Sequence, residues 1–158
     1  MGQIETKLAA MKLVLPAPFK FPKPNRRGCV TVGNMLYLSG HVAHGPEIPG
    51  VRMHGKVGLD MTTEEGYAVA RQVALTILST LKQQLGDLDR VLQVVRLFGM
   101  VNATPDFHHM PAVIDGASDL FYELYGPEHG CHARTAIGVA TLPRGSAVEI
   151  NGEFLIAP

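Results

Sequence analysis

Residues 129 to 150 read HGCHARTAIGVATLPRGSAVEI, and this stretch decides the fold. From Thr135 to Leu142 apolar and small residues follow one another without a polar alternation, which is the pattern of a strand covered on both faces. LPRGS then supplies Pro143 and Gly145, residues that punctuate a chain at a turn. Two strands are predicted, about 134 to 141 and about 147 to 155, joined by that turn. At the mouth of the first stands Arg134, a cation for which an ordinary buried strand has no use.

Upstream, HHMPAVIDGASDLFYELYG predicts a helix starting near Pro111, with Val113, Leu120, Phe121 and Leu124 on its apolar side and Gly126 as its stop. RVLQVVRLFGMVN carries β-branched residues on both parities, so Val91 to Val101 reads as a strand buried on both faces. Thr62 precedes Glu65 by three, the spacing of a capping box. Val69, Val73, Ala74, Ile77, Leu81 and Leu85 then recur at helical intervals up to Gly86, predicting a helix over about 63 to 85. CVTVGNMLYLSG reads as a β-hairpin from Cys29 to Ser39 turning at Gly33-Asn34. PAPFKFPKPNRRG has four prolines in thirteen residues, which excludes a helix interior or central strand. Residues 1–24 are therefore expected to be an extended, proline-rich lead-in, and 25–158 a single domain. His41 to Gly58 has no sustained period and reads as a long irregular connection, a type of loop that is often functional.

The order is β-β-α-β-α-β-β, an α/β (α+β) sandwich of a mixed sheet with two helices. Two helices can cover only one face of such a sheet. The other face has to be hidden, and self-association is the expected means.

Composition narrows the function. Of 158 residues, 46% are hydrophobic and 18% charged, as in a compact globular chain. Fourteen basic and fourteen acidic residues cancel, so no long-range field gathers nucleic acid or anionic lipid. No apolar run approaches the roughly 18 residues of a membrane span. Two cysteines, Cys29 and Cys131, are too few for a disulfide framework and suit a reducing compartment. A soluble, cytoplasmic protein is expected, without membrane or nucleic-acid partners. LAAMKLVLPA is broken by Lys12 and preceded by Glu5, unlike a secretion signal, and MGQIET matches the short myristoylation pattern only by chance.

VGNMLYLSGHV, LGDLDRVLQVV, MVNATPDF and HARTAIGVATLPRGSAVEI, in that order and spacing, resemble the YjgF/Rid family of imine deaminases, also labelled endoribonuclease L-PSP. The likeness runs from about Asn25 to Ile156, and the longer 41–58 loop is similar to that of a longer-chain subgroup. It implies a chorismate-mutase-like fold assembled as a homotrimer around a central barrel, with three clefts between subunits and no metal or cofactor. It also implies that Arg134 grips the carboxylate of a small 2-imino acid, while Ser39 and Gly40 line the cleft. Water would then hydrolyse the imine to a 2-keto acid and ammonia. A guanidinium suits that task because its planar fork meets a carboxylate through two charge-assisted bonds.

The sequence departs from the family pattern where the base should be. The glutamate that handles water in active deaminases corresponds to Asn151, and an amide takes no proton at neutral pH. Glu149 and Glu153 flank it at period two on one side of the strand, and either could substitute if a bulge at Gly152 shifts the register. Asp115, in place of a common asparagine, either neutralises Arg134 or serves as the base. His132 shares the strand face of Arg134 and is a candidate proton donor. Ala136 stands where a cysteine is common, and Arg26 or Arg27 near a usual aromatic. His41-x-x-His44 and His129-x-Cys131-His132 lack the second ligand pair of a zinc site. Two further readings stand beside the deaminase: a trimeric carboxylate-binding or regulatory module without catalysis, and a ribonuclease. The last calls for a basic, aromatic-lined groove that this composition does not advertise.

Overall fold

The computed structural model describes residues 2–45 and 50–158. Helix α1 spans Gln3–Ala10, strands β1 and β2 span Cys29–Val32 and Met35–Val42, and helix α2 spans Thr63–Leu85. Strand β3 follows at Val91–Asn102, helix α3 at Met110–His129, and strands β4 and β5 at Ala133–Val139 and Val148–Ile156. The five strands form one sheet in the order β1-β2-β5-β3-β4. The β3–β4 pair is parallel and every other pair antiparallel.

The α2 start is the predicted capping box. Thr62 Oγ1 accepts from the Glu65 amide at 3.1 Å, and the Glu65 carboxylate accepts from the Thr62 amide at 2.7 Å. Gly86, at φ 77°, ends the helix in the left-handed conformation that a glycine adopts without strain. α2 and α3 pack on one face of the sheet, where Phe121, Phe154, Ile114 and Leu97 are fully buried. Each contributes about 1.5 to 3 kcal/mol over an exposed side chain. Gly116 sits where the helices cross, with its missing Cβ directed at the Tyr67 carbonyl.

Two expectations need correction. The lead-in is not extended throughout, because α1 precedes the prolines. Its Ile4 and Leu8, four apart, bury against the core, and the Asp89 carboxylate accepts from the Gln3 and Ile4 amides at 2.6 and 2.9 Å. Nor does α3 stop at Gly126. The backbone leaves helical geometry there, at φ 78°, and resumes through Pro127 to His129. The connection from His41 to Gly58 includes four residues, 46–49, outside those described. Its far end is not loose, since Val57 is wholly buried and its amide bonds the Asn102 carbonyl at 2.8 Å.

β3 is apolar on both parities for a local reason as well. Its pairing with β5 slips one residue at Leu92 and again at Val95. The inward residues therefore fall at Val91, Val94, Leu97, Gly99 and Val101, three apart and then two apart, while Leu92 and Val95 turn outward. With Val30, Val32, Tyr37 and Ile137 they leave an apolar outer face on the sheet of this single chain.

Candidate functional site

Arg134 lies on the helix side of β4, the edge strand next to β3. Its Nη1 donates to Asp115 Oδ1 at 2.6 Å and to Ser118 Oγ at 3.1 Å, both on α3. Ser118 also bonds His132 Nε2 at 3.0 Å, and the Gly130 carbonyl accepts from His132 Nδ1–H at 2.7 Å, which fixes the tautomer with Nε2 bare. Burial, with the Arg134 charge in addition, holds His132 below the usual imidazole range. Together these groups line an open cavity of about 270 Å³ with Asp119, Tyr122 and the exposed Cys131. One nitrogen of the guanidinium makes both contacts, and the rest of the fork, on a residue that lines the cavity, has no hydrogen bond among the described residues. Of the two roles open to Asp115, the geometry displays the ion pair.

Gly40 and Glu149 form a second site elsewhere. β2 pairs with β5 through Leu38 to Gly152 and then His41 to Ile150, so Ser39 and Gly40 together oppose Asn151. The bulge thus lies in β2, while β5 keeps an unbroken alternation of buried and half-buried residues. His41 pins the bulge from inside, its Nδ1–H donating to the Ser39 carbonyl at 2.7 Å and its Nε2 accepting from Thr80 at 2.8 Å. Burial keeps this ring below the usual imidazole range. The Ser39 hydroxyl turns away and donates to the Arg27 carbonyl at 2.6 Å. The Glu149 side chain occupies the space that a Cβ on Gly40 would need. A cavity of about 220 Å³ opens there, lined by Phe19, Phe21, Arg26, His44, Arg144 and Glu149 among others.

The candidate bases now differ in their surroundings. Glu153 accepts a two-pronged contact from Arg96, Oε2 from Nε at 2.8 Å and Oε1 from Nη2 at 2.9 Å. Asp115 is paired with Arg134. Glu149 has no ion-pair or hydrogen-bond partner for its carboxylate among the described residues, and burial pushes its pKa above the ordinary carboxylate value. Asn151 shares its half-buried face.

A single chain does not unite Arg134 with Glu149. Met100 of β3 pairs with Glu149 on one side and Ile137 on the other, so the two strands lie about 10 Å apart across the sheet. Arg134 is three residues further along, roughly another 10 Å. It also points to the opposite face, since Glu149 alternates with the buried Val148 and Ile150.

The histidine motifs do not gather ligands. His41 and His132 have both ring nitrogens committed to protein partners. Among the described residues, the one convergent set of potential metal ligands is the acidic trio Glu5, Asp87 and Asp89. Sequence reasoning missed Ser118 and Arg144. Ser118 was findable, because it lies three residues after Asp115 and so on the same helix face. Arg144 gave no comparable signal, since its place in the cavity depends on the fold of the β4–β5 turn.

A family model described as YjgF/chorismate-mutase-like, with an endoribonuclease designation, matches residues 5–151. Protein TCP17 of Trypanosoma cruzi is 41% identical over 150 residues, covering 95% of this chain and 92% of that protein. The solved structure of the protein Atu1372 from Agrobacterium tumefaciens superposes with a TM-score of 0.87 at 34% identity, covering 98% of this chain and 92% of that one. RidA of an Antarctic Psychrobacter is more distant, at a TM-score of 0.54 and 25% identity over 90% of this chain and 96% of its own. Sequence motifs, sheet order and family match agree, and the chain belongs to the YjgF/Rid family with its chorismate-mutase-like fold.

Proposed function

We propose that this protein is a cytoplasmic homotrimer that hydrolyses small 2-imino or enamino acids, in clefts joining Arg134 of one copy to Gly40 and Glu149 of the next. The observation that carries this reading is Glu149. It is the one of the three candidate acids left unpaired among the described residues, it is desolvated, and it borders a cavity against a glycine. A carboxylate of raised pKa near a cleft is a functional-site signature. The apolar outer face supports assembly, because Val30, Val32, Tyr37, Leu92, Val95 and Ile137 are all more than a third exposed in the single chain. Two free cysteines, one of them exposed, support a reducing compartment. No described helix is long and apolar enough to cross a membrane.

In this mechanism Arg134 holds the substrate carboxylate through the part of its fork that Asp115 leaves open. Glu149 takes a proton from water as the oxygen bonds to the imine carbon, giving a carbinolamine. A proton then passes to nitrogen, the C–N bond breaks, and the keto acid and ammonia leave. Glu149 rather than the Asn151 amide supplies the base, and Gly40 leaves room for its carboxylate. His132 bonds Ser118, which in turn accepts from Arg134, so in this reading it helps to position the arginine.

Ammonia release from imino acids generated in place by an amino-acid oxidase tests the reading. Turnover by the wild type, reduced on the order of 100- to 10,000-fold in Glu149→Gln and abolished in Arg134→Ala, is expected. Absence of wild-type turnover across several side chains would instead favour the binding module, the reading that Asn151 supports.

A further inference from the structure

The cavity beside Gly40 and Glu149 has two cations that the reaction above does not use. Arg26 and Arg144 both line it. They reach it from opposite ends of the chain, one from the proline-rich lead-in and one from the turn between β4 and β5. The ion pairs among the described residues join Arg52 to Asp60, Arg71 to Glu123, Lys82 to Glu5, Arg96 to Glu153 and Arg134 to Asp115. Neither Arg26 nor Arg144 is in that set.

The Arg26 guanidinium and the Arg144 backbone are each held by the fold. Arg26 lies 5.7 Å from the centroid of the Phe21 ring, a cation–π arrangement that orients a planar guanidinium. Phe21 is braced edge-on by Phe19 at 5.0 Å, and Phe19 in turn by His44 at 5.5 Å. Arg144 sits at φ 58° and ψ 20°, the left-handed region that a side chain enters only at a cost. Pro143 before it and Gly145 after it set that turn, and the non-glycine residue kept there lines the cavity. The lining shared with the arginines and Glu149 is mostly apolar, with Phe19, Phe21, Val42 and Pro143 beside His41, His44 and Thr76.

We infer that Arg26 and Arg144 form a second anion site, so that the preferred ligand is a dicarboxylate: a 2-imino acid whose side chain carries its own carboxylate. This rests on the proposed reading, in which Arg134 of the neighbouring copy holds the first carboxylate and the reacting carbon lies at Glu149. The mostly apolar lining accommodates the intervening methylenes, and two forked cations receive the second charge. Monocarboxylates with aliphatic side chains leave those cations unmatched.

Direct binding separates the two readings. The probes are the stable keto acids 2-oxoglutarate and 2-oxobutyrate, titrated calorimetrically into wild type, Arg26→Gln/Arg144→Gln, Arg26→Lys/Arg144→Lys and Arg134→Gln, with melting curves as a fold control. A charge-assisted contact predicts that wild type prefers 2-oxoglutarate by about tenfold or more. That ratio falls to near one in the double glutamine variant and is largely restored by the lysines. An equal affinity of wild type for both probes, or a ratio that survives the double glutamine change, overturns the second site. If Arg134→Gln then still weakens both probes, the first carboxylate site stands alone. If neither probe binds wild type, both sites fall.

Discussion

Replacing Gly40 by alanine isolates the role assigned to Glu149. The residue is not at a positive φ, so alanine fits the backbone, and the one obstacle is the glutamate. A Cβ there overlaps Glu149 Oε1 and lies 3.0 Å from Cδ and 3.3 Å from Cγ. Carbon atoms prefer about 3.5 to 4.0 Å. The carboxylate must therefore shift by roughly 1 Å, which a half-buried, unpaired side chain does by rotating. The fold should lose less than about 1 kcal/mol, within the range of an ordinary substitution. A displacement of that size at a reacting group costs on the order of 100-fold in rate. Ammonia release should fall accordingly while the melting temperature stays near wild type, and Gly40→Ala should add nothing further to Glu149→Gln. Full turnover in a well-folded Gly40→Ala protein, or two losses that multiply in the double variant, would refute the placement of Glu149 as the base.

Two other outcomes follow from the same geometry. Burial raises the Glu149 pKa in the folded chain, so its stabilising contribution is present below the unfolded carboxylate pKa and is lost as pH rises through the folded value. Glu149→Gln should therefore melt higher than wild type at pH 7, with the gap closing below about pH 4; thermal scans at both pH values check the sign. Ile137 is 38% exposed on the outer sheet face, so Ile137→Glu should leave the protomer folded to within about 0.5 kcal/mol yet dissociate the proposed trimer, as read by sedimentation. A variant that sediments like wild type would place the interface elsewhere.

Local signals were legible and long-range ones were not. Thr62, Glu65 and Gly86 mark the ends of α2 from neighbouring residues alone, and the structure puts them where the spacing does. The eight residues of α1 hold their place through the Asp89 carboxylate, eighty-five positions away from Ile4, a partner that no local window contains. The apolar outward positions of β3 reflect two slips of register, at Leu92 and Val95, which side-chain alternation cannot anticipate. Gly152 is a glycine because the Arg96 backbone crowds it, whereas the bulge falls at Ser39 and Gly40. Arg134 was legible from its motif, and its pairing with Asp115 was one of two alternatives open in the sequence. Which acid remains free of a partner required the side chains of β3 and α3 in place.

The claim that one cleft takes Arg134 from one copy and Glu149 from the next is tested by subunit complementation. Arg134→Ala and Glu149→Gln proteins, each inactive alone, are unfolded together, refolded as mixed trimers and assayed for ammonia release, with mixing verified by mass spectrometry. If the cleft joins two copies, random assembly restores about a quarter of the wild-type sites, because an intact Arg134 then meets an intact Glu149 across one interface in four. Mixed trimers that remain inactive beside a refolded, active wild type would contradict the shared site.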